Sequence, residues 1–195
     1  MGDRLAIRQM RRDEIGRICE IDVTESGHCV YKWIDGAVRP VAEEWKRPPR
    51  PLDDWMAKAE RIRLAMDDGG LAVGAFAGER LVGFAFLRYR LTEEVALLQA
   101  LWVSRTWRRR GIATAILRRL LEAASEEGAR LVYVSACPSE SAYGFYLHEG
   151  FRPSVWVHRR LHDKEPEDIH MILALRPGGE TTSPWSQASV ERSHG

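Results

Sequence analysis

The sequence contains little cysteine, and the cysteines that it has form no motif. Cys19, Cys29 and Cys137 are its three cysteines, and they are widely spaced with no CxxC pair among them. An odd and scattered set argues against a disulfide framework and against a zinc ribbon, and it favours reduced thiols. This usage is typical of a protein that works in the cytoplasm.

Long apolar runs and an excess of one charge are also missing. No run approaches the roughly 20 apolar residues that cross a bilayer, and residues 1–14 are charged throughout, unlike a signal peptide. Lys and Arg number 29 and Asp and Glu 28, a formal net charge of +1. We therefore expect a cytoplasmic protein that binds neither a membrane nor nucleic acid.

The chain is long enough for one ordinary domain with a hydrophobic core. It has 195 residues, of which 45% are hydrophobic and 29% charged, as in globular proteins. We predict a single domain over residues 1–176, with an insert at residues 25–51. Residues 177–195 show no periodicity and are predicted to form a C-terminal tail.

Hydrophobic periodicity predicts the element order β-α-(insert)-α-β-β-β-α-β-α-β-β. The predicted strands cover residues 5–10, 71–77, 80–91, 95–103, 131–136, 151–157 and 168–175, and the predicted helices begin near residues 11, 52, 112 and 139. Hairpins come first and a β-α-β crossover follows. We therefore expect a mixed α/β fold with helices on both faces of the sheet.

The insert interrupts this order and predicts a hairpin. Asp35-Gly36 suits a two-residue turn between apolar runs, and Pro40 limits the second arm to a sheet edge. The insert also contains aromatic and acidic side chains, namely Tyr31, Trp33, Trp45, Glu25, Asp35, Glu43 and Glu44. Two interpretations stay open: these side chains bind a cationic amine against aromatic faces, or the aromatics pack the insert against the body of the protein.

Residues 107–114, WRRRGIAT, join a buried strand to an amphipathic helix. The first amides of a helix have no intrahelical acceptor and lie at the positive end of its dipole, so they can bind an anion. Gly111 permits an unusual backbone angle, Ala113 allows close approach, and Thr114 adds a hydroxyl. A solvated run of arginines is the alternative. The place of this turn between two buried elements favours an anion site.

This turn and a motif further along the chain together match a known family. Arg108-x-x-Gly111-x-Ala113 fits the signature R/Q-x-x-G-x-G/A, again between a strand and a helix. Residues 142–151, AxxFYLHEGF, fit the pattern A-x-x-F-Y-x-x-x-G-F. On both motifs the chain resembles the GNAT N-acetyltransferases over about residues 4–176. The resemblance implies a mostly antiparallel sheet of six to seven strands, in which the family's fourth strand splays from its fifth.

The resemblance also implies acetyl-CoA as cosubstrate and no metal. The turn would hold the pyrophosphate, and the strand before it would bind the pantetheine arm and polarise the thioester carbonyl. Tyr146 stands at the family's tyrosine and would be the general acid, unless it only packs. Ser139 replaces a common asparagine, and it either bonds the pantetheine or caps the helix. The cofactor-binding residues implied are Leu101, Trp102, Val103, Arg108, Arg109, Arg110, Gly111, Ile112, Ala113, Thr114 and Ser139.

No general base is identified by the resemblance. Some members of the family carry a glutamate where this chain has Leu97, and Gln99, the polar residue of that strand, cannot act as a base. A water chain stays open, as do the ionisable side chains near the strand and in the insert, which are Glu93, Glu94, Glu25, His28, Glu43 and Glu44.

The acceptor implied is a primary amine of a small molecule, with amine-bearing antibiotics included. Residues 134–141, VSACPSES, lack the Arg and Asn usual in ribosomal-protein acetyltransferases, which argues against that acceptor. A protein or peptide N-acetyltransferase and a non-catalytic acyl-CoA-binding module are the alternatives, and a homodimer is open. His158, His162 and His170 do not share one helix, so we expect no zinc site.

Overall fold

The computed structural model describes residues 5–175 of the chain. Its strands are β1 Leu5–Gln9, β2 Glu25–Ile34, β3 Ala37–Arg47, β4 Gly70–Ala77, β5 Arg80–Thr92, β6 Val95–Val103, β7 Leu131–Ala136, β8 Arg152–Pro153 and β9 Ile169–Ala174. Its α-helices are α1 Leu52–Asp67, α2 Ile112–Glu126, α3 Glu140–His148 and α4 Arg159–His162, with 3₁₀ helices at Arg12–Glu20 and Arg105–Trp107. The tail predicted over residues 177–195 lies outside the described residues.

Seven of these strands form one sheet in the order β1-β4-β5-β6-β7-β9-β8. Every neighbouring pair is antiparallel except β6 and β7, which are parallel and joined through α2. The mixed, mostly antiparallel sheet predicted from the sequence is therefore confirmed. No helix within residues 5–175 has both the length and the apolar character that crossing a membrane requires.

The parallel strands β6 and β7 separate after a short paired stretch. Their pairing runs from Val95↔Leu131 to Leu97↔Tyr133 and then stops. From Leu98 onward β6 has a strand partner on the β5 side alone, so its other edge carries backbone groups without a strand partner. A gap thus opens between the carboxyl ends of β6 and β7, as the resemblance implied.

Helices cover both faces of the sheet. The first 3₁₀ helix and α1 bury Ile18 and Trp55 against one face, and α2 and α3 bury Ile116 and Tyr146 against the other. Each large apolar side chain buried in this way contributes roughly 1.5–3 kcal/mol to folding. Helices on both faces of the sheet are the arrangement that the sequence predicted, and this prediction is confirmed.

The insert forms a separate two-stranded sheet of β2 and β3. Asp35 and Gly36 have φ values of 51° and 77°, so both are left-handed, as a two-residue turn of type I′ requires. Pro40 pairs with Tyr31 on β2 at a sheet edge. One hydrogen bond joins the hairpin to the segment between β7 and α3: the Tyr31 amide donates to the Pro138 carbonyl at 2.8 Å. The predicted hairpin is confirmed.

The strand predicted over residues 151–157 is wrong beyond its start. Only Arg152–Pro153 pairs with β9. The Ser154 hydroxyl then bonds both the amide and the carbonyl of Trp156, at 3.1 and 3.0 Å, and turns the chain into α4. Val155 is 91% exposed as a result. The apolar side chains of residues 151–157 favour a strand, but local side-chain hydrogen bonds compete with the sheet after Pro153.

Candidate functional site

The turn before α2 leaves a row of amides open at the mouth of the gap. Arg109 and Gly111 have φ values of 62° and 72°, both left-handed. The Gly111 carbonyl begins the helix by accepting from the Ala115 amide at 3.0 Å, so the amides between them have no helical acceptor. A Cβ placed on Gly111 would meet no atom within 4 Å. The turn therefore offers free donors and free space, which fit an anion such as a pyrophosphate.

The three arginines of the turn have different roles. The Arg108 guanidinium is turned inward, where its Nε donates to the Val103 carbonyl at 3.1 Å and its Nη1 pairs with Glu25 at 3.2 Å. Arg109 is exposed, and Arg110 is also exposed and lies over the Trp107 ring at 4.8 Å. Arg108 thus ties the turn to β6 and to the insert, while the other two guanidinium groups stay available to an anion.

The first residues of α2 are held by packing and by one side-chain bond. Ile112 is 2% exposed and anchors the helix in the core, and Ala113 is half-buried. The Thr114 hydroxyl donates to the Glu149 carboxylate, so its proton points toward α3. The backbone amides, and not the Thr114 hydroxyl, are therefore the donors that this end of the helix presents.

The strand that leads into the turn borders the gap. Leu101, Trp102 and Val103 are half-buried at the end of β6, beyond the point where β7 leaves it. The Trp102 ring stacks on Phe84, with 5.7 Å between ring centroids, and meets Trp55 edge-on at 5.2 Å. These contacts fix the strand, while its free edge faces the gap.

Ser139 begins α3 and caps it. Its hydroxyl accepts the Ala142 amide at 3.3 Å and lies 3.2 Å from the Ser141 hydroxyl. Ser139 is 2% exposed, so its side chain is enclosed by these neighbours. The structure therefore places Ser139 in the capping role that the sequence left as one of two alternatives.

Tyr146 lies on α3 between two phenylalanines. Its ring is edge-on to Phe145 and to Phe151, at 5.3 Å in both cases, and the residue is 7% exposed. Burial raises the pKa of the Tyr146 phenol well above its usual range, and the nearby charges of Asp168 and Cys137 raise it further. The phenol therefore keeps its proton at neutral pH, as a general acid must.

Asp168 is a candidate base that the sequence analysis missed. It precedes β9, whose Ile169 pairs with Ala136 at the end of β7, so it lies level with the opening of the gap. The Ser135 hydroxyl donates to its carboxylate at 3.0 Å. Burial, and then the charge of Glu165, raise the pKa of Asp168 to about 6. The sequence showed only an aspartate in a charged loop; its position before a buried strand was the available signal.

The base candidates named from the sequence either form salt bridges or lie away from the open end of the gap. Glu93 and Glu94 precede β6 at its closed end, where Glu94 pairs with Arg130 at 3.1 Å. Glu25 is held between Arg108 and Arg47. The remaining candidates form exposed pairs, Glu43 with Lys32 at 2.8 Å and Glu44 with His28 at 3.5 Å.

The aromatic side chains of the insert do not form a cage for a cation. The Tyr31 ring lies on Tyr143 with 4.2 Å between centroids, and the Trp45 indole donates to the Cys29 carbonyl at 3.1 Å. Trp33 is 39% exposed near the hairpin tip. Tyr31 therefore packs the insert against the body of the protein, whereas Trp45 packs within the insert.

The histidines near the carboxyl end serve the fold. The His170 ring is 2% exposed and bonds the Tyr133 hydroxyl, which in turn accepts the His158 amide at 3.0 Å. His162 lies near His170, with 5.8 Å between ring centroids. No group of three or more His, Cys, Asp or Glu side chains in residues 5–175 could hold a metal ion.

Comparison with known families assigns the chain to one of them. The family model described as Acetyltransferase (GNAT) family matches residues 30–151. Because this match spans more than half of the 195 residues, the chain belongs to the GNAT acetyltransferase family. Membership makes it an acyltransferase with a CoA site. No match was found among curated proteins.

Solved structures with the same fold include CoA complexes. Nourseothricin acetyltransferase is 16% identical with a TM-score of 0.68, covering 87% of this chain and 98% of its own. A Bacillus anthracis str. Ames protein provisionally described as a streptothricin acetyltransferase, solved with acetyl-CoA, is 14% identical with a TM-score of 0.63, covering 90% and 100%. PaiA N-acetyltransferase from Thermoplasma acidophilum, solved with CoA, is 14% identical with a TM-score of 0.59, covering 88% and 99%. At these identities the likeness shows the shared fold alone.

Proposed function

We propose that the protein transfers an acetyl group from acetyl-CoA to a primary amine of a small molecule. The observation that carries this proposal is the left-handed turn at Gly111, which opens a row of free amides at the mouth of the β6–β7 gap. An anion cradle at the end of a strand-lined gap suits a ligand with a pyrophosphate and a long arm.

The chain would bind acetyl-CoA along this path. The amides of residues 109–114 would hold the pyrophosphate, with Arg109 and Arg110 free to approach it, while the Arg108 amide donates to the Arg105 carbonyl at 3.4 Å. The open edge of β6 at 101–103 would bind the arm as an added strand. Bound acetyl-CoA supplies the thioester, whose C–S bond breaks as the C–N bond to the amine forms.

Asp168 would act as the base. An amine reaches the site as an ammonium ion, and the Asp168 carboxylate, directly or through a water molecule, accepts the proton that must leave before nitrogen can attack. With a pKa of about 6, Asp168 is ionised at neutral pH yet basic enough to take that proton. It then releases the proton to solvent.

Tyr146 would act as the acid. The leaving sulfur departs as a thiolate, and the Tyr146 hydroxyl donates a proton to it and regains one from solvent. The burial that keeps the Tyr146 phenol protonated also disfavours a charged thiolate beside it. Proton transfer neutralises that thiolate and leaves a phenolate in its place, which solvent then reprotonates.

The proposed function is tested by release of CoA thiol from acetyl-CoA in the presence of an amine library. We expect turnover with small primary amines and little with peptides that carry a free amino terminus or lysine. Binding of acetyl-CoA without turnover on any amine would instead support the non-catalytic module. Preference for peptides would contradict a small-molecule acceptor.

We expect Tyr146→Phe to lower kcat by about 100-fold or more, the low end of what general acid catalysis contributes. KM for acetyl-CoA should change little, because the ring and its packing remain. Tyr143→Phe is the matched control, since this tyrosine lies on the same helix and packs against Tyr31 instead. A kcat for Tyr146→Phe within about threefold of wild type would remove the acid role.

A further inference from the structure

Two cations lie over one tryptophan beside the gap. The Arg50 guanidinium is 5.4 Å from the centroid of the Trp102 ring, and the Lys58 ammonium is 4.9 Å from it. Arg50 also lies over Trp55 at 4.4 Å. Because Trp102 belongs to the part of β6 that borders the gap, both cations lie beside the gap, on the face covered by α1 and opposite the face that carries Tyr146.

Neither cation has an anionic partner within residues 5–175. The salt bridges of this part of the chain include neither Arg50 nor Lys58, and Nη1 of Arg50 is buried without a hydrogen-bond acceptor. Burial lowers the pKa of both groups, and that of Lys58 falls to about 8, with each also opposed by neighbouring arginines. Both remain charged at pH 7. Both residues are half-buried, and the buried Nη1 of Arg50 without an acceptor marks a place for an anion.

A pocket of about 350 Å³ adjoins Arg50 and is lined also by Asp22, Thr24 and Trp55. The Asp22 carboxylate already accepts the Thr24 amide and hydroxyl, at 2.9 and 2.6 Å, so it is engaged locally. The volume lies in the range of small-ligand sites. A small molecule therefore has room beside the guanidinium.

The cations and the proposed base share charged neighbours. The Glu165 carboxylate raises the pKa of Arg50, of Lys58 and of Asp168, and the Arg47 charge acts on Arg50 and on Asp168. Glu165 thus lies within electrostatic range of all three groups, and Arg47 of Arg50 and Asp168. This region of the protein holds two cations and a carboxylate that can take a proton from an ammonium ion.

We propose that Arg50 and Lys58 form an anion-binding subsite for the acceptor, and that the acceptor is a small amine bearing a carboxylate or phosphate group. This inference rests on the proposed function, because it names the acceptor of the same reaction. The acceptor's ammonium lies toward Asp168 and its oxyanion toward Arg50 and Lys58. Stacking on Trp102 alone would not require a second cation on the same ring, since adding it costs desolvation and repulsion.

Matched acceptors test the subsite. We expect kcat/KM, followed by thiol release, to be about tenfold or more higher for 4-aminobutyrate than for 4-aminobutanamide, and for phosphoethanolamine than for ethanolamine. A higher value in the first pair alone identifies a carboxylate, and in the second alone a phosphate. Equal values within both pairs would overturn the proposal.

Substitutions then connect the preference to the two cations. Lys58→Met and Arg50→Met should raise KM for the anionic acceptor by about 10- to 100-fold and leave kcat/KM for its neutral counterpart within about twofold. Lys58→Arg should restore much of the loss. Arg90→Met, at an exposed position of β5, makes the same charge change and should alter neither value. Equal losses on both acceptors would assign the cations to packing and contradict the subsite.

A binding measurement on the wild-type protein keeps this test separate from turnover. Lys58 should be acetylated rapidly by a short pulse of acetic anhydride at pH 8, because about half of its amine is neutral there. Because these amines also consume the anhydride, protection is read as a ratio: saturating 4-aminobutyrate or phosphoethanolamine should lower the labelling of Lys58 relative to exposed Lys46 about threefold or more, as judged by mass spectrometry. Protection without any turnover would refute the proposed function and keep the subsite. Turnover without protection would do the reverse.

Discussion

Acetyl-CoA at about 100 times its Kd is expected to raise the melting temperature of the wild-type protein by roughly 5–10 °C and that of Gly111→Glu not at all. The glutamate side chain would enter the open space above the turn, where the amides of α2 point, and its carboxylate would occupy the anion's place. The left-handed φ of 72° at position 111 also strains the backbone of any residue other than glycine. The measurement is a thermal shift titration that compares the increment, since the starting melting temperature will also fall.

Gly128→Glu is the matched control for this substitution. Gly128 follows the other end of α2 with a φ of 85°, and a Cβ there also meets no atom within 4 Å. The same strain and the same charge are therefore introduced far from the turn, and the acetyl-CoA increment should persist. An undiminished increment in Gly111→Glu, or no increment in the wild type, would refute the proposed cofactor site.

Asp168→Asn is expected to lower kcat/KM by about 100-fold or more at pH 7.5, the low end for loss of a general base. In the wild type the carboxylate must be ionised to act. Because its pKa is about 6, the contribution of Asp168 to kcat/KM should fall about tenfold per pH unit below that value. This fall should be absent in the variant. The measurement is a pH profile of kcat/KM from pH 5 to 8 with one saturable amine.

The same substitution should stabilise the protein. The folded state holds the Asp168 proton up to about pH 6, whereas an unfolded aspartate loses it near pH 4. Folding stability is therefore lost as the pH rises through this window, and an uncharged asparagine should recover about 1–2 kcal/mol at pH 7. Asp163→Asn, an exposed residue paired with Arg159 at 3.8 Å, is the control and should change neither activity nor stability appreciably. A less stable Asp168→Asn with a normal pH profile would contradict the role of base.

Much of the fold could be predicted because its signals are local in sequence. The apolar runs of β4, β5 and β6 and the apolar face of α2 each lie within one element, so composition and periodicity identified them. The turn at Gly111 could also be predicted from local sequence. A strand, a glycine and a helix in succession define its backbone, and two spaced motifs pointed to the family.

The sequence alone determined most of the order of elements, the insert hairpin and the left-handed turn at Gly111, because each depends on neighbours within a few residues. Tertiary structure alone decided that Arg108 forms a salt bridge with Glu25 and that Asp168 lies level with the opening of the gap. It also brought Arg50 and Lys58 together over Trp102. Burial and charge pairing join residues far apart in the chain, and they set whether a charged side chain is a solvated surface group or part of a site.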